Sequence, residues 1–145
     1  MKSVAVFIAF LATSMGLTIA LPAAAHADTA AARNFCAGKP ATTFWKSVQT
    51  RQDGDDVIEC GNVSYGAIHI ESKHHVFDWS TTLKCLDNVG LRGTRGMEDG
   101  KIVYVFWYDI SNHRFGKLVL GAGGVITGYT QDGGSQSSWA QCASA

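Results

Sequence analysis

The spacing of four cysteines constrains this chain more than any other feature. Cys36, Cys60, Cys85 and Cys142 are spread over most of the sequence, and no two form a Cys-x-x-Cys pair. That pattern argues against a zinc ribbon or a thioredoxin-type redox motif. An even count of four in an exported chain reads instead as two disulfides, with three connectivities open. Each bridge stabilises the fold mainly by restricting the unfolded chain, and Cys142 is expected to tie down the tail near Trp139.

Export is read from the opening residues, "MKSVAVFIAFLATSMGLTIALPAAAHADTA". Lys2 precedes an apolar run from Val4 to Leu21, and Ala25 and Ala27 flank His26. This is the layout of a secretory signal peptide over residues 1–27, cleaved after Ala27. The run is nearly long enough to span a bilayer, so an uncleaved anchor is the alternative. Pro22 and the alanine cluster suit a peptidase better than a stop-transfer flank. Cleavage leaves residues 28–145 as a single secreted, extracellular globular domain with no stable membrane association. At this size a core forms, and disulfides add to its stability.

Removing Lys2 from the 12 basic side chains leaves 11 against 12 acidic ones, a net charge of −1. A generally basic nucleic-acid coat is thereby excluded. Charge is uneven, however. "DGDDVIE" is acidic, while Lys84 to Lys117 carries six basic and four acidic residues. A few well-placed cations around one phosphate are enough for catalysis, so RNA stays open as a substrate.

Residues 28–50 are alanine-rich with near-helical apolar spacing broken at Pro40, which predicts one or two short helices. "RQDGDD" is a turn. From Val57 onward, short apolar runs ended by glycine and asparagine predict strands. The clearest is "KIVYVFWYDI", Lys101 to Ile110, entered through the turn "EDGK". Lys117 to Leu120 and Val125 to Thr130 pair as a hairpin turned by Gly121 to Gly124, with Val125, Thr127 and Tyr129 sharing one face. The fold class is α+β: short N-terminal helices, then an antiparallel sheet, with two disulfides. "VGLRGTRGMEDGK" reads as a flexible loop whose Arg92 and Arg95 are candidate phosphate-binding residues.

"SYGAIHIESKHHVFDW", Ser64 to Trp79, concentrates three histidines and a lysine within seven residues. As strand or as helix, His69 and Lys73 fall on one side, and in the helix Ile70 and His74 stack on a neighbouring stripe. The spacing of His69 and His74 is not that of a helical zinc site, so neither metal nor cofactor is expected. No Gly-x-Ser-x-Gly elbow is present, and bridged cysteines supply no thiol nucleophile. Metal-free cleavage of RNA fits better. The 2′-hydroxyl is already the nucleophile, so histidines need only move protons while a cation stabilises charge.

The motif "HIESKH", His69 to His74, resembles the His-Ile-x-x-Lys/Arg-His signature of small ribonuclease toxin domains in the barnase, EndoU, colicin and RelE-like group. "GGVITGYT", Gly123 to Thr130, is similar to their closing strand. The two pieces cover about 14 residues. The resemblance implies an α+β fold and metal-independent endoribonuclease activity, often on tRNA, in an antibacterial toxin countered by an immunity protein. By position, His69, Lys73, His74, Thr127 and Tyr129 become catalytic, with His75 competing as the second histidine or serving as a binding residue. The chain departs from that pattern in its own signal peptide and its four cysteines. The competing function is a non-catalytic binding or inhibitor module, in which Trp45, Trp79, Trp107 or Trp139 appear together on an exposed apolar patch.

Overall fold

The computed structural model describes residues 30–145, and the expected signal peptide, residues 1–27, lies outside them. Ala31–Cys36 is a short helix, α1. Phe44–Thr50 is a strand, β1, and not the second helix expected from its apolar spacing. It pairs antiparallel with β2, Gly54–Glu59. The reason for the difference is a bulge: Phe44 stands opposite Glu59 but Lys46 opposite Ile58, so the chain gains a residue there. Trp45 and Val48 are consequently both buried although three positions apart, which imitates a helical stripe.

Two helices follow in the stretch whose short apolar runs favoured strands, the first of them settling as helix the histidine segment that local pattern leaves open. Gly66–Lys73 forms α2 and Trp79–Arg92 forms α3. Asp78 caps α3, its carboxylate accepting from the Ser80 N–H at 3.1 Å and the Thr81 N–H at 2.8 Å. The buried side of α3 carries Trp79, Thr82, Cys85, Leu86, Val89 and Gly90, a spacing of three and four that only a helix brings to one side.

Four antiparallel strands come next, in the order β3 (Thr94–Glu98), β4 (Lys101–Asp109), β5 (Arg114–Gly121) and β6 (Gly124–Thr130). The arginine segment is therefore the end of α3 plus a paired strand, not a flexible loop. Asp99 and Gly100, with φ of 48° and 74°, close the β3–β4 hairpin with the two left-handed residues that such turns favour. The β5–β6 hairpin forms as expected. Helix α4, Gln136–Ser144, ends the chain.

The fold is α+β, with disulfides Cys36–Cys60 and Cys85–Cys142. One face of the four-stranded sheet, with Tyr104, Leu118, Leu120 and Val125, packs with Leu86, Val89 and Trp139 in one apolar core. Gly116 and Gly128 lie beneath Val89 and Leu86, where added Cβ atoms would collide with those side chains. Among the described residues, the other face, carrying Val105, Trp107, Phe115, Lys117, Thr127 and Tyr129, adds no side chain to that core, and all six are half-buried or exposed. Among the described residues, no helix is long and apolar enough to cross a membrane.

Candidate functional site

Helix α2 begins where the backbone of Gly66, at φ 76°, passes so close to the Glu59 carbonyl that no side chain fits. Ala67 and Ile70 bury one side, which leaves His69 on the flank and His74 at the C-terminal cap. The His74 N–H donates to the Ile70 carbonyl at 3.0 Å, and its own carbonyl accepts from the Trp139 indole N–H at 3.1 Å. His75 then adopts φ 47°, a left-handed conformation that ends the helix.

These backbone contacts aim the His74 ring at β6. Its Nε2 lies 3.0 Å from the Thr127 hydroxyl, and its ring stacks on Tyr129 with centroids 5.1 Å apart. The His69 ring meets His74 edge-on at 5.4 Å, so His74 bridges His69 and Tyr129. The His69 Nδ1 is 2.8 Å from the Val63 carbonyl. A carbonyl only accepts, so Nδ1 carries the proton and Nε2 remains as the proton-exchanging atom.

Burial pushes His74 down from its ordinary 6.5 to about 4, helped by charge on His69, His75 and Lys73. Its imidazole is accordingly neutral near pH 7. Lys73 is exposed at the end of α2, one turn from His69. The bulge in β6 places Thr127 opposite Val119 but Val125 opposite Leu120. Val125 therefore turns into the core, and only Thr127 and Tyr129 share the open face, a correction to the simple alternation expected for all three.

Lys117 was not among the residues singled out from the sequence, yet it stands directly across from Tyr129 on β5. Its ammonium pairs with Glu98 across β4, and that pairing, reinforced by the Tyr129 hydroxyl, raises its pKa. The only sequence signal was parity in "GKLVLG": Lys117 and Val119 alternate with buried Leu118 and Leu120.

The chain matches no protein-family model, and no similar curated protein or solved structure is found. Geometry alone orders the remaining candidates. His75 lines a depression of about 400 Å³ with Arg33, Ser72 and Phe77. Arg92 covers the Phe106 ring at 4.7 Å and bonds the Ala145 carbonyl. Arg95 pairs with Asp53 at 3.0 Å, and the Tyr104 hydroxyl donates to the same carboxylate at 2.6 Å. Neither arginine joins the imidazole cluster. Among the described residues, no three histidine, cysteine or carboxylate side chains converge as metal ligands do. Three of the four indoles, Trp45, Trp79 and Trp139, are buried, and Trp107 alone stays exposed.

Proposed function

We propose that this protein is a metal-independent endoribonuclease, secreted and acting as an antibacterial effector, whose site is the edge of the open sheet face next to the end of α2. The observation that carries the reading is the His74 imidazole, kept neutral by burial and held between Thr127, Tyr129 and His69. The resemblance to barnase, EndoU, colicin and RelE-like toxin domains belongs to the same proposal, as do an RNA substrate such as tRNA and an immunity protein. Two disulfides fit an oxidising compartment.

In this mechanism His74 takes the proton from the ribose 2′-hydroxyl as its oxygen attacks the adjacent phosphorus. The bond from phosphorus to the 5′-oxygen breaks, and the leaving oxygen receives the proton that Nε2 carries when His69 enters the reaction as the imidazolium, with Nδ1 keeping its own proton on the Val63 carbonyl. The products are a 2′,3′-cyclic phosphate and a free 5′-hydroxyl. Thr127 orients His74, while Lys117, Lys73 and the Tyr129 hydroxyl face the developing charge on the non-bridging oxygens. Each proton transfer is worth about 10² to 10⁴ in rate.

The test is cleavage of end-labelled RNA by the oxidised 28–145 chain in excess EDTA, beside His74→Ala and His69→Ala. Cutting with cyclic-phosphate ends by the wild type, and loss of at least about a hundredfold in each variant, is the expected result. Equal cutting by all three proteins, or none by a folded wild type, refutes it.

A further inference from the structure

The open sheet face extends beyond the imidazole cluster. Phe115 precedes Lys117 by two residues on β5, so it lies on the same face about 6.6 Å along the strand. Trp107 stands directly opposite Phe115 on β4, with ring centroids 5.2 Å apart and planes at 65°. Trp107 is 46% exposed, whereas Trp45, Trp79 and Trp139 are 8%, 5% and 2% exposed. One large aromatic is thus left in water on this face, braced edge-on by a second ring and one side-chain step from a lysine.

The geometry points to the Trp107–Phe115 pair as a nucleobase-stacking subsite for single-stranded nucleic acid, receiving the base beside the phosphate held at Lys117 and Tyr129. A planar ring beside a cation, here the Lys117 ammonium that a phosphate would share with Glu98, matches a nucleotide, a flat heterocycle linked to an anion. Aromatic faces on open sheets stack unpaired bases with little sequence preference, and a duplex keeps its bases out of reach. This subsite rests on the ribonuclease reading for its scissile phosphate but can be measured without cleavage.

The experiment follows binding of a short fluorescein-labelled deoxythymidylate strand by anisotropy, beside an equally long abasic strand of the same charge. Deoxyribose has no 2′-hydroxyl, so the probe is not cut. The wild type is expected to bind thymidylate about tenfold more tightly than the abasic strand. Trp107→Ala is expected to erase that difference and Trp107→Phe to keep most of it. Trp107 is too exposed for either change to disturb the core, and quenching of indole emission on binding provides a second readout.

Equal affinity for both strands, equal binding by Trp107→Ala and wild type, or no binding of either strand overturns the subsite and leaves this face to a protein partner. The two readings fail separately. Thymidylate binding through Trp107 without RNA cleavage removes the ribonuclease and keeps the stacking site, and cleavage with binding indifferent to Trp107 does the reverse.

Discussion

His74 carries contacts from three elements: its N–H belongs to α2, its carbonyl to the Trp139 indole of α4, and its ring to β6. Such a residue cannot reorient cheaply when protonated, and burial places that protonation near pH 4. A base must be unprotonated to act, so kcat/KM for RNA is expected to fall with acid through about pH 4, not through the 6.5 of a free imidazole. Lys73→Gln removes only a minor cause and should move that limb slightly upward. A limb that stays near pH 6.5 in the wild type would exclude His74 as the base. Stability follows the same ionisation. The unfolded chain binds the proton first, so the contribution from His74 is complete above pH 6.5 and is lost as pH falls toward 4. His74→Gln should flatten urea midpoints across that window. Thr127→Val keeps the shape but removes the partner at 3.0 Å. Its kcat is expected to drop about tenfold with KM little changed, as suits a residue that orients the base.

At the scale of elements, the carboxylate inside the histidine motif is structural. Glu71 is buried and accepts from the Ala32 N–H at 2.8 Å, the Trp79 indole N–H at 2.9 Å and the Arg33 guanidinium at 2.7 Å, which joins α1, α2 and α3. Glu71→Ala leaves two buried N–H donors without a partner. It should cost about 3 kcal/mol in urea unfolding, while Arg33→Ala, at an exposed side chain, should cost under about 1. Comparable losses from both would mean that the ion pair, not the buried donors, holds the helices. The sequence revealed elements unevenly. The β4 run and the β5–β6 hairpin were legible because strand formers and turn residues agreed locally. β1 was misread because its bulge converts a period of two into a spacing of three. α3 was misread, and α2 left open between strand and helix, because β-branched residues and glycine weakened their helical texture, although Asp78 was a readable cap. Thr127, Tyr129 and His74 were legible as candidates from local pattern, whereas Lys117 depended on a cross-strand register that no local pattern reveals.

Across the whole molecule the two disulfides do different things. Cys36–Cys60 closes 24 residues and fastens α1 to the end of β2. Cys85–Cys142 closes 57 residues and fastens α3 to α4. Loop entropy alone assigns them similar stabilities, about 3.5 and about 4 kcal/mol. Their effects on the site should differ, because α4 also carries Trp139, whose indole holds the His74 carbonyl. Asn88 of α3 adds hydrogen bonds to the carbonyls of Cys142 and Ala143, but it cannot fix the rotation of α4 as a covalent bridge does. Replacing Cys85 and Cys142 together by alanine is therefore expected to lower RNA cleavage several-fold at a temperature where the variant is still folded, with the loss in kcat. Replacing Cys36 and Cys60 should lower the unfolding midpoint with little effect on kcat under the same conditions. Urea unfolding beside steady-state cleavage separates the cases. Equal kcat in the two double variants would mean that α4 is only a lid on the core and that β6 alone positions the imidazole.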